Sequence, residues 1–387
     1  MDRTLQISLA KRLLAHAEAG TTEMAPAQMR IPVTEYLERS RWEGEIETLH
    51  KRLPIVACLS SELPEPGSFL AFSLMRVPLL LTRDDRGRVN AYLNVCRHRG
   101  ARVVQDGAGK AKRFACSYHG WTYNNGGQLL GVSYPDAFGE VDCQANGLTR
   151  LQADERAGMV FVVLTPGVNV DIDEFLAGVD GVIADHAENF CFVGSREVQG
   201  SNWKLVMEGH LESYHFASLH RTSIASSMLT NCATVDRFGS HLLITFCSKN
   251  ILSLRDIPEA DWEPLRDDLI NPQFILLPST TVTLSDGGFL AQIIRPGDTP
   301  AVSTNRLAFA EERSANGGQE KLDFVSALVR EEDYKASQEI FDGMKSGAQT
   351  HVVFGQNEPG PIWFHEALRA QMAKAIPSHV AQGRNIG

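Results

Sequence analysis

Cys96-Arg97-His98-Arg99-Gly100, followed after a loop by Cys116-Ser117-Tyr118-His119-Gly120-Trp121, decides how this chain is read. Working outward from the first half, short apolar runs alternate with turn signals: Ile55 to Cys58, Phe69 to Leu74, Val77 to Thr82 and Val89 to Val95. Runs of this length broken by turn residues predict strands. Asp84-Asp85-Arg86-Gly87 and Asn124-Asn125-Gly126-Gly127 fall between such runs, and residues that tolerate positive φ make hairpin turns there. The pattern predicts a small antiparallel β-domain over 46–165, closed by Met159 to Leu164 and the breaker Thr165-Pro166-Gly167.

Each half of the opening motif offers one thiolate and one imidazole, and each lies where a strand runs into a turn, so two hairpin tips should converge. Two cysteines and two histidines suit a four-coordinate structural zinc. They equally suit a [2Fe–2S] cluster in which the cysteines hold one iron and the histidines the other. Gly107-Ala108-Gly109-Lys110 is no phosphate loop, because it lacks the first glycine and the hydroxyl residue after the lysine.

Downstream runs Asn202-Trp203-Lys204-Leu205-Val206-Met207-Glu208-Gly209-His210-Leu211-Glu212-Ser213-Tyr214-His215, with His220 five residues on. Its spacing predicts a helix from Trp203 to about Ser218, with Glu208, Glu212 and His215 on one narrow face. His215 and His220 then share a metal only if the helix bends or breaks between them. Two imidazoles and one carboxylate make the facial triad of non-haem Fe(II) enzymes. Further helices are predicted around Asp171 to Asp180 and over Asp333 to Lys345, and strands over Phe274 to Leu277 and Phe289 to Ile294. A β-module joined to a larger α+β domain follows.

The chain has 387 residues, 43% of them hydrophobic, and a formal net charge of −10. That composition supports a packed core and speaks against a general nucleic-acid binder, whose affinity needs clustered cations. No uncharged apolar run reaches the ~18 residues of a membrane helix. Leu5, Leu9 and Leu13 recur between charges in Met1 to Gly20, which predicts an amphipathic helix rather than a signal peptide and so a cytoplasmic protein. Cys58, Cys96, Cys116, Cys143, Cys191, Cys232 and Cys247 are odd in number and unevenly spaced, which argues against a disulfide framework.

The residues flanking the two cysteine–histidine halves resemble the Rieske signature, and with the downstream Glu-x-x-x-Glu-x-Tyr-His-x-x-x-x-His the chain resembles the α subunit of Rieske non-haem iron oxygenases almost from end to end. The resemblance implies an N-terminal helical segment over 1–45 packing on the catalytic domain, a Rieske domain over 46–165, and a helix-grip-like catalytic domain of antiparallel sheet plus helices over 166–387. It implies that Cys96, His98, Cys116 and His119 hold a [2Fe–2S] cluster. His215, His220 and a downstream carboxylate would hold a mononuclear Fe(II). In Arg330-Glu331-Glu332-Asp333-Tyr334 that carboxylate is Asp333 by the match, with Glu332 as the fallback.

Glu212 matches the family's bridge between the cluster of one subunit, through His119, and the iron of the next, which implies a homotrimer. Glu208 would stand close behind the metal ligands. Gly209 and His210 replace the usual Asn and aromatic residue, and His210 reads as a polar core residue in preference to a donor behind the ligands. The activity implied is hydroxylation or oxidative demethylation of a largely apolar, aromatic or polycyclic substrate with O₂. Electrons would come from NAD(P)H through a separate ferredoxin or flavin reductase, since no dinucleotide fingerprint is present. The cavity should be lined from 205–300 and from the C-terminal helix that Asp333 opens. The other reading is a Rieske electron-transfer protein without oxygenase activity. Arg97, Arg99, Arg102, Lys110, Lys112 and Arg113 against Asp106 suggest a basic docking patch for the electron donor.

Overall fold

The computed structural model describes residues 1–184, 190–262, 268–285, 287–313 and 315–375, so the end of the domain expected over 166–387 lies outside the described residues. Strands are numbered along the chain as β1 (Met29–Pro32), β2 (Ile55–Leu59), β3 (Ser68–Leu74), β4 (Val77–Arg83), β5 (Val89–Leu93), β6 (Gly107–Lys110), β7 (Arg113–Ala115), β8 (Thr122–Asn124), β9 (Leu129–Gly131), β10 (Arg150–Arg156) and β11 (Met159–Val163). They continue as β12 (Phe190–Gly200), β13 (Met228–Phe238), β14 (His241–Ser248), β15 (Ile270–Leu276), β16 (Thr280–Ser285), β17 (Gly288–Pro296), β18 (Ser303–Glu312) and β19 (His351–Phe354).

The first half of the chain forms a seven-stranded antiparallel sheet in the order β2-β11-β10-β5-β4-β3-β6, beside a three-stranded sheet β7-β8-β9. Both turn signals do what their side chains permit. Gly87 and Gly127 take φ of +77°, and Asp84 Oδ1 and Asn124 Oδ1 accept backbone N–H groups from Arg88 and Gln128 at 2.9 Å. Gly107–Lys110 is an edge strand paired with Ser68–Ala71, which agrees with rejecting it as a phosphate loop. Ile46–His50, inside the boundary expected at 46, forms a π-helical turn; its Ile46 and Leu49 pack in the core that holds Trp203, Phe216 and Phe364.

The second half is a seven-stranded antiparallel sheet in the order β12-β18-β17-β16-β15-β14-β13, with helices Gly318–Glu331, Asp333–Lys345 and Pro359–Ala375 following it in sequence. The fold is therefore α+β, as expected: a small β-domain followed by a domain with a large antiparallel sheet. The N-terminal helix, Arg3–Ala19, starts where Asp2 Oδ1 accepts the Leu5 N–H at 2.9 Å and ends at Gly20, φ +64°. Leu9 and Leu13 are wholly buried with Leu243, Cys232 and Cys247, each contributing about 1.5–3 kcal/mol of burial.

Two expected helices are interrupted. The one over Asp171 to Asp180 is two short helices, Ile172–Leu176 and Val179–Ala184, parted by Ala177 and Gly178 at positive φ. The one from Trp203 toward Ser218 stops at Glu208 and resumes only as Phe216–Leu219. Tertiary partners take up backbone groups of the broken segment: Gln273 Nε2 donates to His210 O at 2.5 Å and Asn231 N–H to Ser213 O at 3.1 Å. Gly360 presses so closely that a Cβ there would lie 2.1 Å from Leu211 O. Spacing alone does not reveal those partners.

Candidate metal centres

The first centre is built by two matching turns. Cys96 N–H donates to Ala101 O at 2.8 Å and Gly100 N–H to Cys96 O at 2.9 Å; Cys116 N–H donates to Trp121 O and Gly120 N–H to Cys116 O, both at 2.9 Å. Gly100 and Gly120 hold φ of +84° and +70°, which glycine adopts without strain. The imidazoles of His98 and His119 meet with ring centroids 4.6 Å apart, and His98 lies stacked on Trp121 at 5.1 Å. Cys96 and Cys116 are buried and unbridged, and the buried Nδ1 of His98 has no hydrogen-bond partner. Two buried thiols, two converging imidazoles and an orphaned ring nitrogen fit a cluster held by two cysteines and two histidines. Tyr123 Oη lies 3.4 Å from Cys96 Sγ and accepts the Arg97 N–H at 3.0 Å.

Three of the six nearby cations are matched by acids: Arg102 with Asp106, Lys110 with Glu65 at 2.8 Å, and Lys112 with Asp85 at 3.8 Å. The basic patch is thus weaker than its sequence suggested, because Glu65 and Asp85 come from other strand ends. Arg99 packs over the exposed Tyr118 ring at 5.6 Å.

The second centre lies where the broken helix meets the junction of the helices Gly318–Glu331 and Asp333–Lys345. His215 precedes the single turn Phe216–Leu219 and His220 ends it, with φ −96° and ψ 32°. This non-helical end brings the two rings together, so the condition set by their five-residue spacing is met. His215 Nε2 lies 3.2 Å from His220 Nε2, and Asp333 Oδ1 lies 3.7 Å and 3.3 Å from them. These three side chains form one group whose ligand atoms all lie within 4.8 Å of one another. Two imidazole nitrogens and a carboxylate at this spacing fit a mononuclear iron.

The outer nitrogens are held as well. Glu212 Oε1 pairs with His215 Nδ1, and Glu212 Oε2 accepts the Tyr214 and His215 backbone N–H groups. Glu332 Oε2 lies 2.6 Å from His220 Nδ1 and 2.9 Å from Ser223 Oγ. Glu332, the fallback ligand, therefore addresses the far side of the ring. Burial works against protonation of His220, but Asp333 and Glu332 outweigh it and raise its pKa.

Although the regular helix ends before Glu212 and His215, Glu208 still borders one groove with both of them. Its carboxylate accepts from Tyr36 Oη at 2.7 Å and lies 2.8 Å from His365 Nε2, in a buried group that local sequence could not reveal. Beside it, Lys204 and Glu45 pair at 2.5 Å with 1% side-chain exposure each. His210 borders the cavity next to the metal group with its Nε2 buried and unpartnered, and burial lowers its pKa. That cavity has a volume of about 270 Å³, with Phe216, Phe246, Leu290 and Val329 among its apolar walls. Helix Gly318–Glu331 supplies Phe324, Val325, Leu328 and Val329 to it, a correction to the expectation that the helix opened by Asp333 would; that helix contributes Asp333 itself.

Two family models match the chain. Residues 54–144 match the Rieske [2Fe-2S] domain and residues 187–374 the ring hydroxylating alpha subunit (catalytic domain). The chain belongs to the family of Rieske oxygenase α subunits. It is 29% identical over 225 residues to the glycine betaine monooxygenase oxygenase subunit of Pseudomonas aeruginosa, covering 57% of this chain and 52% of that protein. It is 31% identical over 206 residues to the anthranilate 1,2-dioxygenase large subunit of Acinetobacter baylyi, covering 51% and 44%. The chain spans about half the length of the curated relatives it matches.

Its fold is similar to that of the quaternary ammonium Rieske monooxygenase CntA, with TM-score 0.77, 18% identity and 90% and 96% coverage. Naphthalene 1,2-dioxygenase from Rhodococcus sp. gives TM-score 0.75, 18% identity and 97% and 100% coverage. Among the described residues, no helix is long and apolar enough to cross a membrane.

Proposed function

We propose that this protein is the terminal component of a cytoplasmic oxygenase. It would hydroxylate or oxidatively demethylate a largely apolar, aromatic or polycyclic organic substrate, using O₂ and electrons drawn from NAD(P)H through a separate reductase or ferredoxin. The observation that carries this reading is the grouping of His215, His220 and Asp333 at the wall of a half-open, mainly apolar cavity. The division into a Rieske domain over 46–165 and a catalytic domain over 166–387 belongs to the same proposal.

Cys96, His98, Cys116 and His119 would hold the [2Fe–2S] cluster, and His215, His220 and Asp333 the iron. When bound, these groups supply one-electron transfer and a site for O₂ chemistry. The chain's own residues do the rest. Glu212 and Glu332 accept the Nδ1–H protons of His215 and His220, which fixes the tautomers and turns both Nε2 lone pairs toward Asp333. The apolar walls position substrate and keep water from the reacting centre. Glu212 also borders a groove with Ile340, Val352 and Val353, which are not among the walls of the substrate cavity. That placement supports Glu212 as the bridge to His119 of a neighbouring subunit in a homotrimer.

Purified protein should hold about three irons per chain, two with labile sulfide and one without. Turnover with a generic reductase on a panel of aromatic compounds tests the activity. Zinc in place of iron, or iron without turnover of any organic substrate, would overturn the reading.

A further inference from the structure

The cavity beside His215, His220 and Asp333 is apolar on its helical side, but the sheet closes it with amides. Asn271 and Gln273 are two apart on β15, and so project to the same face. Pairing across the sheet sets Gln273 opposite Thr283, Thr283 opposite Leu290, and Phe246 opposite Asn271, and all of them line the cavity. Gln292, on β17, completes the patch.

These amides are not equally engaged. Gln273 is spent within the protein: its Nε2 donates to His210 O at 2.5 Å and its Oε1 accepts from Thr283 Oγ1 at 3.3 Å. Gln292 accepts from Asn305 Nδ2 at 2.9 Å, which fixes its orientation and leaves the other end of its amide without a partner among the described residues. Asn271, half-buried at the same cavity, makes no side-chain hydrogen bond among the described residues. His210 Nε2 is buried and unpartnered at the same cavity. The buried His210 nitrogen costs free energy until a ligand or water meets it, and a ligand filling the cavity would strip water from Asn271 and Gln292 unless it hydrogen-bonds to them.

We propose that Asn271 and Gln292 are specificity-determining residues that select a small, uncharged substrate carrying a hydrogen-bonding oxygen or nitrogen, such as a carbonyl, hydroxyl or amide, on an otherwise apolar frame. This rests on the oxygenase reading above and names the substrate class for that site. Apart from His215, His220 and Asp333, which the iron would engage, the polar groups facing the cavity are neutral dipoles set among Phe216, Phe246, Leu290 and Val329. They can satisfy a neutral polar group, whereas a carboxylate or ammonium would surrender its hydration to an environment that repays little of it. The volume of about 270 Å³ lies below the ~300–1,000 Å³ of sites for drug-sized ligands. A one- or two-ring frame fits that space better than a larger polycycle.

The test uses four probes of similar shape: acetophenone, isopropylbenzene, benzoate and phenyltrimethylammonium. Binding is measured by calorimetry on the iron-loaded, reduced protein without O₂, and iron and labile sulfide are assayed on the same sample. Acetophenone should bind about tenfold more tightly than isopropylbenzene, the size one buried hydrogen bond carries, and both charged probes more weakly than acetophenone. Asn271→Leu should abolish most of that preference by weakening acetophenone and not isopropylbenzene. Gln292→Leu should do the same, and if it fails to fold through loss of the Asn305 contact, Asn271→Leu decides. A charged probe binding tightest, no binding by any probe, or a preference unchanged in Asn271→Leu overturns the proposal. Absence of the mononuclear iron overturns the oxygenase reading instead, so the two failures are distinguishable.

Discussion

Glu332 and Asp333 are neighbours in sequence and address opposite nitrogens of one ring: Glu332 Oε2 stands 2.6 Å from His220 Nδ1, and Asp333 Oδ1 stands 3.3 Å from His220 Nε2. Glu332 occupies the joint between two helices, with φ −115° and ψ −76°. The joint lets one carboxylate back the imidazole while the next faces the metal group.

Different outcomes follow for the two acids. Asp333→Ala should strip the mononuclear iron and leave the cluster. Glu332→Ala should keep the iron but weaken its hold about 10–100-fold, the usual effect of removing a carboxylate behind a ligating histidine. Elemental analysis after dialysis against graded chelator reads both. The reverse order would make Glu332 the ligand.

Glu212 contacts His215 through one oxygen and two backbone N–H groups through the other. Glu212→Gln preserves the shape and removes the charge. Cluster and iron should both remain, while single-turnover electron delivery from the reduced cluster slows on the order of tenfold or more. Unaltered single-turnover kinetics would remove Glu212 from the path.

Tyr123 Oη, 3.4 Å from Cys96 Sγ, is placed to donate a hydrogen bond that favours the more negative, reduced cluster. Tyr123→Phe should therefore lower the cluster potential by tens of millivolts, where about 59 mV corresponds to tenfold for one electron. A redox titration followed by circular dichroism measures it. An unchanged potential would mean that the hydroxyl serves the Arg97 N–H alone.

Acid should destabilise the fold through two histidines remote from either centre. Burial lowers the pKa of His241 from 6.5 to about 4 and that of His50 to about 3. His241 lies 2.8 Å from Phe175 O through Nε2 and accepts the Leu277 N–H through Nδ1, a pattern only the neutral ring satisfies. Below pH 6.5 the unfolded chain takes up protons that the folded protein refuses. The stability present above that pH is then lost as pH falls toward 4, at about 1.4 kcal/mol per unit for each ring. Urea unfolding at pH 7 and pH 5 should differ by roughly 2 kcal/mol per histidine. Equal stability at the two values would show that both rings carry charge in the fold.

What could be read without coordinates was local in character. The two cysteine–histidine turns, the hairpin signals at Asp84 and Asn124, and the helix within Met1 to Gly20 depend on residues within a few positions of one another, whose conformational preferences act at short range. Spacing also posed the condition for a second metal site, that His215 and His220 meet only off a regular helix. Where that helix breaks was decided by distant groups: Gln273 and Asn231 on the sheet, and Gly360 at the start of another helix. That Glu332 and Asp333 address opposite nitrogens of His220 likewise lies in a helix joint seen only in three dimensions. So do the pairing of Glu208 with Tyr36 and His365 and the gathering of Asn271 and Gln292 around one cavity. Sequence determines which groups are available and what each prefers locally. Only tertiary packing decides which of them are desolvated together, and at that point a carboxylate becomes a ligand, a brace for a ligand, or part of a buried network.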